Sequence, residues 1–598
     1  MERETDTERP DPSVGRGSTS ARRLPLPPLL IACGVLLALH LYISGHMTVP
    51  VLYSDEMGYF ANARFLARVG AVPQLPTPFC HFGYSLLLVP IYWLAPTPES
   101  VHRAAIVLNA FLSVLHFLVL YALARSLFDL GKREAGLAAL VTSLYPAFLL
   151  QSSLVWTETL FPLLFTAWVG LATLADRRAT RGGVLGFVGV GAFMYATHPR
   201  GLALVPITLA FLAWLRFRRR IGSGAFFAGV ALQAAAFVFT EVVNRRLHEA
   251  MWSWNTESVA TRSMDMLTAL RSVVLGSQLL LTIAGQVWYL LCASIGLLVP
   301  GSVLLVAMVC RAKREQGGRA IGQPSAPAAV ALLGGLGILL LSTLHLSRGE
   351  RLDQLVYGRY NEAFMGVYLL AGITWLLRAR RGRDILRPLA VAGLAIAALT
   401  ALLLMVRGDA LAGTLDMPFT VFGVLEFEPA FTADPFASDR RGIFRCDVIA
   451  AGALAAIVTF GLVAVRSRRW AVALLGCFFV FAAIDIEPRT LRPVDRWAKQ
   501  LLTLHHVVRD TGVGGDIAYD RSNIDWFGLN GYQFYLPDHQ FRLFDGAAEQ
   551  PPAALVIASK QWPQAAAWNA RPLAAEPLLD QALWLIPHSG ASPGGGRL

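Results

Sequence analysis

Charge is scarce in this chain of 598 residues: 15% of positions are Asp, Glu, Lys or Arg, against 55% hydrophobic ones, and mean hydropathy is +0.51. So little polar surface excludes an ordinary soluble fold of this length and leaves repeated bilayer crossing. Cysteine is sparse too. The six present show no CxxC spacing, and Cys33, Cys292, Cys310 and Cys477 fall in or beside apolar stretches, so neither a zinc site nor a disulfide scaffold is indicated. Cys80 and Cys446 remain a candidate pair outside the membrane. A Gly-rich phosphate fingerprint is missing, as is any nucleic-acid motif. The net charge of +12 is instead explained by basic loops lying beside anionic headgroups.

Long apolar runs are what the chain has in quantity. Segments 29–44, 102–127, 135–154, 157–174, 183–196, 201–215, 223–240, 278–310, 326–346, 363–377, 386–406, 446–465 and 470–484 carry few central charges. Most approach the roughly 20 apolar residues that a helix needs to cross hydrocarbon. This predicts an all-α polytopic membrane protein with about thirteen spans. The first run is long and lacks a clear small-residue cleavage site, which argues against a cleaved signal.

Every second connection is basic, from an Arg-bearing N-terminus through Lys132-Arg133, Arg177-Arg178, Arg216 to Arg220, Arg311 to Arg314, Arg378 to Arg383 and Arg466 to Arg469. Positive loops mark the cytoplasmic side. The alternation holds if 81–95, short and containing Pro90, is not a full span. The connections around Asp55, 197–201, 241–271, 347–362 and 407–445 then face outside, as does everything after Glu487. Three regions follow: a disordered cytoplasmic tail 1–23, a transmembrane region 24–487 whose outer loop 46–98 carries surface helices, and an extracytoplasmic α/β domain 488–598. In the last, a helical pattern at 497–509 precedes strand-like runs at 516–519, 541–544, 554–558 and 582–586.

Candidate chemistry lies in the outside connections. Asp55-Glu56 opens a helix that Ser54 or Asp55 can cap, with Met57, Phe60, Ala61 and Phe65 on the face turned to the membrane. Trp156-Thr157-Glu158 and Thr197-His198-Pro199-Arg200-Gly201 are short polar breaks between apolar helices. The run 345–362 is dense in charge and includes Arg351, Tyr357-Gly358-Arg359-Tyr360 and Glu362. Arginine binds phosphate bidentately, and tyrosine suits a sugar face or an interface. Each cluster also has a plainer reading: helix capping for the acids, snorkelling for Arg200, a membrane belt for the tyrosines.

An acidic pair in the first outside loop, a surface helix, His81-Phe82-Gly83-Tyr84 ahead of an apolar stretch, and about thirteen spans with an outside C-terminal domain together resemble the GT-C superfamily of lipid-carrier-dependent glycosyltransferases. The branch most similar contains protein mannosyltransferases, aminoarabinose transferases and actinobacterial arabinosyl and mannosyl transferases. Many relatives have a His-Pro-Pro type sequence where this chain has His81-Phe82-Gly83. The resemblance implies transfer of a sugar from a polyprenyl-phosphate donor to a hydroxyl of a glycan, lipid or protein acceptor, with inversion. It implies Asp55 as general base, with Glu56 as its acidic neighbour.

Donor phosphate and sugar would meet His198, Arg200, Arg351, Tyr357, Arg359 and Tyr360, supported by Glu158, His81 and Glu362. A divalent cation held by Asp55, Glu56 and Glu158 would share the phosphate charge. The competing reading is a multi-pass transporter or flippase, or a non-catalytic cell-envelope assembly protein.

Overall fold

The computed structural model describes residues 26–75, 80–251, 276–314, 325–347, 351–407, 417–433, 444–512, 514–523 and 525–587. The predicted tail 1–23 and parts of the connections 241–271, 347–362 and 407–445 lie outside the described residues. The chain is a polytopic helical membrane protein with a small C-terminal α/β domain. Among the described residues eight helices are long and apolar enough to cross a bilayer: Pro98–Ser126, Leu160–Arg178, Pro199–Phe217, Ser223–Met251, Ser325–Leu346, Gly382–Val406, Cys446–Arg466 and Arg468–Leu501. Two seventeen-residue helices, Arg181–Thr197 and Glu362–Arg378, fall just below that length, and Pro28–Ser44 is a shorter apolar helix.

Three expected spans depart from a single straight helix. Segment 278–310 is a pair, Gln278–Ala293 and Leu298–Cys310, bent by 101°; Ile295 and Gly296 both take positive φ at the corner, which no helix continues through. Segment 135–154 stops at Ser143 and restarts as Pro146–Gln151, because Pro146 lacks the N–H an unbroken helix would use and suits a first helical position instead. Segment 157–174 becomes helical only from Leu160, leaving 152–159 as irregular backbone. Helix Phe82–Leu94 has thirteen residues, about 20 Å of rise, too short for a hydrocarbon core of about 30 Å.

The basic connections gather at one end. Arg378 donates to the carbonyls of Phe128 and Asp129, Arg468 Nη2 donates to the Arg380 carbonyl at 3.0 Å, and Arg220 lies 3.7 Å from Asp176. Helices Leu160–Arg178 and Glu362–Arg378 run from that end to the one where Glu158 and Arg359 meet.

Helix Arg468–Leu501 passes straight through the expected boundary at 487 despite Pro488 and Pro493. Pro493 has no N–H for the Arg489 carbonyl; Ala433 N–H takes that place at 2.9 Å. The Arg489 side chain in turn donates through Nη1 to the carbonyls of Glu428 at 2.8 Å and Phe431 at 3.2 Å. Beyond it, helix Leu504–Thr511 leads to β1 (Ile517–Asp520), helix Trp526–Tyr535, β2 (Phe541–Phe544), β3 (Leu555–Ala558), β4 (Arg571–Ala575) and β5 (Ala582–Leu585). The sheet order is β2-β1-β3-β5-β4. β1 is parallel to β2 and β3, with Ile517 opposite Phe541 and Leu555, while β5 runs antiparallel to β3 and β4. β4 is the strand absent from the sequence reading: it is an exposed edge, contains Pro572 and slips register at Pro572/Ala574, all features that mask a strand pattern.

Candidate functional site

Helix Ser54–Ala67 brings Asp55 and Glu56 into its first turn, where the positive end of the helix dipole favours acids. The N-cap residue is Tyr53 with no side-chain cap bond, so neither Ser54 nor Asp55 caps the helix as expected. Consecutive residues diverge by about 100° around a helix, and these two acids have different surroundings. Glu56 is fully buried, its Oε2 accepting from Val51 N–H at 2.6 Å and its Oε1 from Val155 N–H at 2.9 Å. Burial pushes its carboxyl up to about 7 against the pull of those amides. Glu56 thus ties two loops together and turns away from Arg359. Asp55 keeps 41% of its side chain exposed, with Oδ2 2.9 Å from Arg359 Nη2. The apolar face of the helix does not rest on the membrane. Helix Trp526–Tyr535 covers it, with Phe60 4.9 Å from Phe534 between ring centroids.

Glu158 sits in the irregular segment before helix Leu160–Arg178, 3% exposed. Its Oε1 accepts from Arg200 Nη2 at 2.8 Å and lies 3.1 Å from Arg359 Nε, while its Oε2 accepts from Arg359 Nη2 at 3.2 Å. Burial opposes ionisation here, but Arg359 and then Arg200 override it and hold the carboxyl below its ordinary range. Arg359 lies 3.8 Å over the Trp156 ring, and Arg200 lies 4.7 Å from Phe161 and 4.8 Å from Tyr360. The aromatic faces hold the two cations after most of their water is stripped. Arg200 still has Nε and Nη1 buried without a protein partner. His198 Nδ1 accepts from Arg200 N–H at 3.1 Å, which leaves any ring proton on Nε2. Burial and the Arg200 charge push this imidazole well below its usual range, so it is neutral.

The turn at 357–361 sets Arg359. Gly358 and Arg359 both donate N–H to the Thr420 carbonyl at 2.9 Å, and the Gly358 carbonyl accepts from Asn361 and Glu362 N–H at 2.7 and 3.0 Å. A Cβ at Gly358 would stand 1.9 Å from the Tyr289 ring, so only glycine permits this approach. Tyr289 O–H donates to buried Glu362 Oε1 and accepts from Gly423 N–H at 2.9 Å. Tyr357 and Tyr360 pack ring to ring at 4.7 Å.

Asp55, Glu158, Arg200, Arg359, His198 and Tyr360 are therefore brought together from loops up to three hundred residues apart, with Tyr357 and Glu362 behind them. Three expected members are engaged in other contacts. Arg351 pairs with its neighbour Asp353 at 3.0 Å. His81 Nδ1–H donates to the Tyr195 carbonyl at 2.7 Å, seating the start of helix Phe82–Leu94 where Gly83 lets its backbone approach that of Ala196. Glu56 serves backbone amides.

Cys80 and Cys446 are both free thiols, not the candidate pair. The expected cation does not fit either. Of its three ligands Glu56 points into amides and Glu158 is enclosed by two guanidinium groups, which repel a cation. Among the described residues no group of three or more His, Cys, Asp or Glu is arranged to hold a metal.

Sequence reasoning missed Tyr289, Thr420 and Phe161, which are apolar-run or loop residues with no local signal of their role. Trp156 was visible as part of the polar break beside Glu158.

No protein-family model and no curated protein matches the sequence. Among solved structures, ArnT from Cupriavidus metallidurans bound to undecaprenyl phosphate aligns with 95% of this chain and 100% of its own, at 13% identity and a TM-score of 0.52. The apo form of the same protein aligns with 95% and 99%, at 14% identity and a TM-score of 0.53. Arabinosyltransferase EmbB from Mycobacterium smegmatis aligns over 83% of this chain and 44% of its own, at 16% identity and a TM-score of 0.44. The chain thus shares its fold with ArnT over nearly the whole length of both.

Proposed function

We propose that this protein is a plasma-membrane glycosyltransferase that moves a sugar from a polyprenyl-phosphate donor to an acceptor hydroxyl at the outer face. One observation carries the reading. Of the acids gathered here, Asp55 is the accessible one, and it stands against a pair of buried arginines with unused donors. The undecaprenyl phosphate bound by ArnT, which shares the fold, supports the donor class. On this reading the N-terminus is cytoplasmic, the basic connections are inside, and the domain from 488 onward is extracytoplasmic. The charge rule supports that orientation.

Arg200, Arg359 and Glu158 together carry one net positive charge, which suits one phosphodiester. The free Nε and Nη1 of Arg200 and the fork of Arg359 would hold the phosphate oxygens, with neutral His198 and the Tyr360 ring beside them. As a phosphate oxygen takes the carboxylate's place at Arg359, Asp55 is released from its ion pair. The acceptor hydroxyl passes its proton to Asp55 while its oxygen attacks the anomeric carbon. The bond from that carbon to the phosphate oxygen breaks, its electron pair leaves on the phosphate, and the configuration inverts. Phosphate needs no proton to depart, so the arginines supply the stabilisation a general acid would otherwise give. No step runs through a metal.

The test is Asp55→Asn in purified protein given polyprenyl-phosphate sugars and hydroxyl acceptors. Loss of a general base lowers transfer by about 10²–10⁴-fold with donor binding retained. Transfer at the wild-type rate would end the assignment.

A further inference from the structure

The helix that presents Asp55 has little of its own to hold it in place. It is fourteen residues long, includes Gly58 and Asn62, and has no side-chain cap; helices of this length are marginal without tertiary support. Arg64 follows Asp55 by nine positions, half a turn around the helix. Asp55 thus meets Arg359 on one face while Arg64 projects from the opposite one.

Arg64 is 4% exposed, and its Nη1 donates to the carbonyl of Gln533. That carbonyl lies in the last turn of helix Trp526–Tyr535, and the residue four positions on is Pro537, which has no N–H to offer it. The guanidinium supplies the missing donor at the negative end of the helix dipole. The Gln533 side chain then brackets Gln74, its Oε1 accepting from Gln74 N–H and its Nε2 donating to the Gln74 carbonyl at 2.8 Å. Ala71 N–H donates to the Pro537 carbonyl at 2.7 Å. Gly70, at φ +65, closes this approach: a Cβ there would lie 2.3 Å from the Pro537 carbonyl oxygen.

A guanidinium buried for a backbone carbonyl is expensive as packing, and the contact leaves Arg64 Nε and both amide atoms of buried Asn530 unpartnered beside a cavity of about 20 Å³, room for one water. Fixing the orientation of the helix is what such a contact accomplishes.

We infer that Arg64 and Gln533 are positioning residues through which the C-terminal domain holds the helix that presents Asp55. The domain is thereby part of the site's frame. The inference concerns placement of Asp55 and holds whichever reaction Asp55 serves.

Amide hydrogen exchange on the full-length protein in lipid nanodiscs tests it without relying on activity. Arg64→Met and the length-conserving Gln533→Met should each speed exchange of residues 54–67 by about tenfold, the local effect of losing one or two hydrogen bonds. Helices 98–126 and 446–466 should be unchanged. Arg64→Lys keeps a cationic donor and should return exchange to within about threefold of wild type. If Arg64→Met does not fold, Gln533→Met carries the test alone.

Unchanged exchange in 54–67, acceleration spread over the whole chain, or an Arg64→Lys variant as fast as Arg64→Met overturns the inference. Should the transferase reading also hold, Gln533→Met lowers turnover and leaves donor affinity intact. A protein with no transferase activity would still give the exchange result, so the two readings fail separately.

Discussion

Replacing Glu158 by Gln removes the one fully buried negative charge between Arg200 and Arg359. Glu158 is 2% exposed by side chain and the two arginines 4% each, so solvent does little to screen what is left. Breaking a buried pair by removing one partner costs about 3–5 kcal/mol. With an unfolding entropy of about 2 cal/mol/K per residue, a chain of this length turns that into a fall of about 2–4 °C in Tm.

The sign with pH is defined. The folded carboxyl lies below its ordinary range, so its stabilisation is complete above that range and is lost as pH falls through the folded value. Wild type and Glu158→Gln should differ most at neutral pH and draw together only as pH falls below the ordinary carboxylate range. Tryptophan fluorescence during heating measures this in detergent.

Undecaprenyl phosphate provides a second arm, because an added anion replaces part of the missing charge and should raise the variant's Tm by more than it raises wild type's. A variant as stable as wild type at neutral pH, or one that undecaprenyl phosphate stabilises less than wild type, would refute the electrostatic reasoning.

Glu56 behaves in the opposite sense. Its carboxyl is raised to about 7, so its burial penalises the ionised form and stability declines as pH rises from about 4.5 to 7, then levels. In Glu56→Gln that decline should vanish from a plot of Tm against pH, and a profile parallel to wild type would show that Glu56 is not its source. Gly358→Ala forces a Cβ into the Tyr289 ring and should cost about 1–3 kcal/mol, with donor binding weakened because the turn carries Arg359; retained Tm and donor affinity would count against that turn's role. Arg359→Lys keeps the charge but not the fork, and transfer should fall by about 10²-fold or more. Near-wild-type turnover would remove Arg359 from the phosphate site.

The membrane architecture was legible because apolar runs and basic connections are local properties of a sequence. Where the reading slipped, the cause was a backbone event: the positive φ at Ile295 and Gly296, the restart at Pro146, the continuation of Arg468–Leu501 through two prolines because Ala433 N–H substitutes for the one that Pro493 lacks. The acids and arginines of the site stood out as polar residues between apolar helices. Their division of labour did not. Asp55 and Glu56 are indistinguishable as neighbours in a sequence, and only the amides of Val51 and Val155 assign Glu56 to the interior. Arg351 and Arg359 stand eight residues apart in one charged run, yet Asp353 occupies the first and Trp156 with Glu158 receives the second.

On the proposed reading, the pairing of Asp55 with Arg359 bears directly on how a base would wait at a membrane surface. Held 2.9 Å from buried Arg359 with 41% of its side chain exposed, the Asp55 carboxylate is oriented and still open to solvent. Arg359 is fixed independently by Glu158, by Trp156 and by the Thr420 carbonyl that accepts the Gly358 and Arg359 amides, so phosphate binding need not move the arginine to free the acid. On the proposed reading, exchange of one oxygen anion for another at a stationary guanidinium would couple donor arrival to base release. The mobile partner must be on the Asp55 side: Glu56 fastens the first turn of the helix to the Val51 and Val155 amides and Arg64 fastens its far face, which leaves the acid's own rotamer as the degree of freedom that responds.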